Sequence, residues 1–157
     1  MDSMIEKLVD LVNNFDPVSY LPKVDSLLGW TDTFARICIV AAPLIMLLFG
    51  LSYLLVPPKE ANHVAGYRFY FGMGSVAAWK FTQRFAGIVW TGLGLILTLV
   101  MFFVGKQFSD MELMAMVDKA ALCILWEIGL MIASILIINL TLTVRYDRKG
   151  NARKAAK

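Results

Sequence analysis

One carboxylic acid, Glu127, interrupts the apolar run "ALCILWEIGLMIASILIINLTLTV" from Ala121 to Val144. An ionisable group in a stretch long enough to cross a bilayer is expensive, and it marks a pair or a functional site. Two roles are open to it. It can fix helix packing through an ion pair or a hydrogen bond, or it can handle a proton or a substrate. The candidate partner is Arg36, near the start of "TFARICIVAAPLIMLLFGLSYLLV", Thr33 to Val56. Arg36 and Glu127 fall at comparable depth when the apolar runs are threaded through a membrane. The expectation is therefore a partly buried Arg36–Glu127 pair that locks the first and third runs together.

The other concentration of chemistry is "NHVAGYRFYFGMGSVAAWKFTQRFAG", residues 62–87. It sets Arg68, Lys80 and Arg84 among Tyr67, Phe69, Tyr70, Phe71, Trp79, Phe81 and Phe85. "GMG" before Ser75 does not make a phosphate cradle, because no strand precedes it and no Walker lysine follows. The glycines read as a turn and Ser75 as an N-cap. Trp79 and Gln83, four apart, share one helix face. Tyr67 and Arg68 precede that helix and can fold back on the face, with Arg68 placed to stack on Trp79 or to pair with a phosphate or carboxylate. An interfacial aromatic belt with basic topology signals explains the same composition without a ligand. Catalysis and cofactors are not indicated. The one histidine, His63, has no nucleophile motif beside it, and Cys38 and Cys123 lack metal spacing. Both cysteines read as small buried hydrophobes.

The elements that position these residues follow from composition. Of 157 residues, 59% are hydrophobic and only 17% charged, against about 45–50% and 25% in soluble domains. Mean hydropathy is +0.67. The first and third runs, with uncharged "FAGIVWTGLGLILTLVMFFVG" from Phe85 to Gly105 between them, each reach the 18 or so apolar residues a span needs. They are continuous, not alternating, so helices are expected, not barrel strands. The fold class predicted is an all-α integral membrane protein: a bundle of three transmembrane helices over 33–144, with spans at about 33–56, 75–105 and 121–144. The second helix starts near Ser75, since nothing breaks it before Phe85. Ala78, Thr82, Ala86, Trp90, Gly94 and Thr98 recur every four along it, mostly small, and predict a close helix neighbour.

Residues 1–32 read as an external amphipathic or interfacial segment. Ser3 to Phe15 is amphipathic, with Ser3 and Glu6 in a capping box, and Tyr20 and Trp30 are placed at interface depth. The tail 145–157 is basic and reads as an anchor on anionic headgroups. Positive charge alternates from low before the first run to high in residues 57–84, low in 106–120 and high in the tail. The positive-inside rule then places the N-terminus outside and the C-terminus in the cytoplasm.

The ordered set Asn62, Gly66, Tyr67, Arg68, then Ser75, Trp79, Gln83, Arg84 and Gly87, resembles the bacterial SdpI-like immunity proteins. These carry Asn-x-x-x-Gly-Tyr-Arg after one membrane helix, and a Ser, a Trp, a polar residue and a glycine leading into the next. Phe69-Tyr70 stand here where that family usually has Thr or Thr-Pro, and Thr82-Gln83 where it usually has Ala-Asn. The resemblance implies a non-enzymatic protein of the bacterial plasma membrane that protects its cell from a membrane-active peptide toxin, or signals by capturing a regulatory protein. Its partners would be membrane lipids and that toxin or regulator, and nucleic acid is not among them. The alternatives are an oligomeric transporter or channel using Glu127, with a homo-oligomer to enclose the path, and an accessory subunit of a larger membrane complex.

Overall fold

The structure is a computed structural model that describes residues 24–61 and 65–153, with side chains from residue 30 onward. The amphipathic stretch Ser3–Phe15, Tyr20, Asn62, His63, Lys154 and Lys157 lie outside the described residues. Within them are three long helices: α1 (Val24–Leu55), α2 (Val76–Lys106) and α3 (Leu113–Arg145). All three are long and apolar enough to cross a membrane, with candidate spans Trp30–Leu55, Val76–Asp110 and Leu113–Arg145. The chain is a multi-pass, all-helical membrane protein.

Local chemistry sets the helix ends. Pro57-Pro58 stop α1, because proline has no N–H to donate and pushes the preceding residue out of the helical region. Ser75 caps α2, its hydroxyl accepting the Ala78 N–H at 3.1 Å. The Gln107–Asp110 3-10 turn links α2 to α3. Helix α3 starts at Leu113, eight residues before the apolar run that announced it. Met116 and Ala120, one turn apart, are buried there, whereas Asp118 is exposed. The early turns are amphipathic, and a search for unbroken apolarity passes over them.

Helices α1 and α2 pack antiparallel at backbone distance. A Cβ on Gly94 would lie 2.6 Å from the Leu47 nitrogen, one on Gly87 would lie 2.8 Å from Leu54 Cγ, and one on Gly50 would meet the Thr91 backbone. Ala78, Thr82, Ala86 and Gly94 of the four-residue stripe are all buried. Helix α3 closes the bundle mainly at its two ends. At one end Met116 and Ala120 meet Ala35, Ile39, Met101 and Phe108. At the other, Ile138, Leu142 and Tyr146 meet Tyr67, Ala78 and Ala86. Between the two clusters lie Glu127, buried, and a cavity of about 120 Å³.

The α1–α2 contact depends on Gly94 in a way that the neighbouring Gly92 does not share, since a Cβ on Gly92 meets nothing within 4 Å. Gly94→Val is expected to destabilise the bundle by about 1–3 kcal/mol through overpacking against backbone. Gly92→Val is expected to leave the unfolding midpoint close to wild type. Equal midpoints for the two variants in detergent-resolved denaturation would refute this packing.

Candidate functional site

The connector folds back onto the first turns of α2. The Gln83 side-chain amide makes two hydrogen bonds with one residue: its Oε1 accepts the Tyr67 N–H at 2.8 Å, and its Nε2 donates to the Tyr67 carbonyl at 2.9 Å. Gln83 has no exposed surface. It stands in for the neighbouring strand that an extended backbone would otherwise need, because a buried backbone N–H or C=O must find a partner. Gly66 makes the approach feasible. Its φ is +99°, and a Cβ there would lie 2.7 Å from Gln83 Oε1. Trp79, fully buried one turn before Gln83, donates its indole N–H to the Pro58 carbonyl at 2.8 Å. It thereby pins the end of α1 to the start of α2.

The Tyr67 ring passes between helices. Its hydroxyl donates to Asn139 Oδ1 of α3 at 2.8 Å, and the ring meets Trp90 edge-on at 5.5 Å between centroids. Burial pushes its phenol up to about 12, with a smaller contribution from the Tyr53 hydroxyl. Asn139 was not among the residues singled out from the sequence. The available signal was its amide, set in an otherwise apolar run, where a polar group needs a partner as much as a charge does.

The tail joins the same structure. Expected only as a basic anchor, residues 146–152 instead form a tight reverse turn. Tyr146 pairs with Ala152, Gly150 N–H donates to the Asp147 carbonyl at 3.0 Å, and Arg153 N–H donates to the Arg145 carbonyl at 2.9 Å. The Asp147 carboxylate accepts from the Lys149 and Asn151 N–H groups, each at 2.8 Å, and from the Asn151 side chain at 3.0 Å. Those bonds, led by the Asn151 side chain, hold its carboxyl below the usual carboxylate value. The turn docks on the α2 cap: Ser75 Oγ donates to the Gly150 carbonyl at 2.7 Å. Gly150 has φ +75°, and a Cβ on it would collide with the Ser75 backbone nitrogen. Arg145 lies over the Phe81 ring at 4.2 Å, and Phe81 in turn meets Tyr146.

Of the residues picked from sequence, Gly66, Tyr67, Trp79 and Gln83 thus form one knot, and Ser75 is tied beside it through the tail. Arg68 is exposed on the connector next to the knot. Arg84 points elsewhere, into an open groove of about 580 Å³ with Tyr53, Leu54, Pro57, Pro58, Lys59 and Lys80. Gly87 belongs to the α1–α2 contact. Two further residues are not brought together at all. Arg36 pairs with Asp32 at 2.9 Å, one turn earlier, and donates to Ser109 beyond the end of α2. Neither Glu127 oxygen has a hydrogen-bond partner. The expected Arg36–Glu127 pair is absent. Helix α3 begins at Leu113, so Glu127 sits near its middle, about 21 Å from its start at 1.5 Å per residue. Arg36 instead reaches toward the polar end of the bundle, where its charge stays solvated. Among the described residues no group of three or more His, Cys, Asp or Glu side chains converges as a metal site.

Removing the Gln83 amide strands two backbone groups at once. Gln83→Ala is expected to cost about 2–6 kcal/mol, at about 1–3 kcal/mol per orphaned buried group. Tyr67 supplies a second test. Its phenol is raised from 10 to about 12 on folding, so its contribution is complete below pH 10 and is lost as pH rises from 10 to 12. At about 1.4 kcal/mol per pH unit, that loss is about 2–3 kcal/mol. Absorbance titration at the tyrosinate band should show late tyrosine ionisation, and Tyr67→Phe should reduce both that signal and the alkaline slope of stability.

Comparison with known proteins comes to one positive result. The model of the SdpI/YfhL protein family matches residues 59–143, more than half of the chain, from within the connector to the last turn of α3. No curated protein and no solved structure matches.

Proposed function

Because the chain belongs to the SdpI/YfhL protein family, we propose that it acts by binding, without catalysis, as an immunity protein against a membrane-active peptide toxin or as a membrane-linked signalling protein. The observation that carries this reading is the knot around Gln83. It spends buried hydrogen bonds from α2, α3 and the connector on holding a short non-helical segment rigid. Such rigidity is of use where a surface is presented to a partner. The segment so held carries exposed Arg68 and Tyr70, and a separate groove lined by Lys59, Lys80 and Arg84 adds basic charge at the same end of the bundle. An acidic or aromatic segment of a toxin or regulator complements that surface, as do anionic headgroups.

In the proposed orientation this end of the bundle faces the cytoplasm of a bacterial cell. The connector and the tail lie at one end, and both are basic, as the positive-inside rule requires of cytoplasmic segments. A transport reading draws on Glu127 in the middle of α3. It needs an oligomer, since three helices enclose little on their own.

The deciding experiment challenges a deletion strain with candidate peptide toxins and restores it with wild type, Arg68→Ala or Gln83→Ala. Wild type is expected to rescue growth. Arg68→Ala, at an exposed position, is expected to rescue at least tenfold less well when compared at equal abundance in the membrane. Equal sensitivity with and without the gene removes immunity. Ion flux in liposomes that depends on Glu127 would favour transport instead.

A further inference from the structure

The middle of the bundle holds a buried carboxyl beside a cavity, separate from the connector. Glu127 is 5% exposed, and neither of its carboxylate oxygens has a hydrogen-bond partner. It lines the 120 Å³ cavity together with Cys38, Pro43 and Met46 of α1, Leu97 of α2 and Met131 of α3. Apart from the carboxyl the walls are apolar. The cations of the other half of the bundle are engaged elsewhere: Arg36 with Asp32 and Ser109, Lys119 with Gln107 Oε1 at 2.6 Å, and Lys106 over the Phe102 and Phe103 rings. A buried carboxyl with no donor and no counter-ion is among the most costly arrangements in an apolar medium. It persists here beside a space that could take the missing partner.

We propose that this cavity binds an aliphatic ammonium group that enters between the helices from the lipid, its N–H donors on the Glu127 carboxylate and its alkyl chain against the methionine and leucine walls. Charge complementarity selects the head. Volume selects the chain: an apolar cavity of about 150 Å³ holds benzene, so 120 Å³ holds an alkyl chain of about four to six carbons. A free lipophilic amine has this chemistry, and so has a lysine side chain of a membrane-inserted peptide. A neutral alcohol of equal length fills the space but brings no charge.

The test uses the full chain in zwitterionic phosphatidylcholine nanodiscs, so that anionic headgroups do not compete for the amine. The thermal midpoint is followed against n-pentylamine and against n-pentanol. The wild type is expected to gain stability saturably with the amine alone. Glu127→Gln keeps the side chain's size and removes the charge, and its apparent affinity is expected to fall at least tenfold. Cys38→Leu keeps Glu127, fills the space, and is expected to lose binding as well. Equal responses to amine and alcohol, wild-type affinity in Glu127→Gln, or retained binding in Cys38→Leu each overturn the proposal, and the last stands even if the Gln variant fails to fold. Competition by a single-lysine transmembrane peptide, compared with its norleucine counterpart, separates the sources. Displacement by the lysine peptide alone assigns a peptide side chain, no displacement assigns a free amine, and both outcomes retain the ammonium site.

Discussion

The constraint behind the connector end is that backbone outside a helix, at the edge of a bilayer, must still satisfy every buried N–H and C=O. The chain meets it with one side chain. Gln83 takes both polar groups of Tyr67, and the rest of that end is arranged around this bond pair. Gly66 exists at φ +99° because the amide lies against it. Trp79 shares the Gln83 face and closes the other edge by holding Pro58. With Tyr67 fixed, its hydroxyl reaches Asn139, and α3 is drawn onto the pair formed by α1 and α2. The tail turn then seals the Ser75 cap. The connector, α2, α3 and the tail meet through a handful of directional bonds. Apolar burial cannot supply that specificity in lipid, where the surroundings are as apolar as the helix surface.

What the sequence disclosed depended on the range of the interaction concerned. The three spans were legible because continuous apolarity is a local property of the chain. The Ser75 cap and the Trp79–Gln83 face were legible because N-caps and i,i+4 spacing are local as well. The same locality explains the early start of α3. Residues 113–120 satisfy a helix by burying only Met116 and Ala120, and an amphipathic turn does not register as an apolar run. The knot was half visible: Tyr67 was expected to fold back toward Trp79 and Gln83, but the bond between a side-chain amide and a backbone peptide leaves no mark in composition. Asn139 offered its amide in an apolar run as a signal, but its partner, like that of Gly150, lies more than 70 positions away and could not be read locally.

The Arg36–Glu127 pair fails on energetics as well as on depth. An arginine one turn from an aspartate, near the end of a bundle, forms an i,i+4 pair at little desolvation cost. Dragging the same guanidinium to mid-helix would exchange that pair for a desolvated one, whose attraction often fails to repay the loss of water. Arg36 therefore stays beside Asp32 and Ser109, with its aliphatic stem 3.4 Å from where a Gly105 Cβ would stand. The acid is left alone in the centre.

That leaves α3 held in an uneven way. Its ends are fixed, one by the cluster around Phe108 and the other by the Tyr67–Asn139 bond and the tail turn. Its middle faces a cavity and carries an unpartnered carboxyl. Close-packed interfaces resist displacement, and a void removes the contacts that resist it. The centre of α3 is thus less firmly held than its two ends. Glu127 and Asn139 lie 12 positions apart on one uninterrupted helix, or about 18 Å. A helix transmits axial rotation and translation over that distance without bending appreciably. A displacement of α3 at Glu127 is therefore passed to both ends: to the cluster around Phe108, and to the Tyr67–Asn139 bond and the tail turn at the end that carries Arg68.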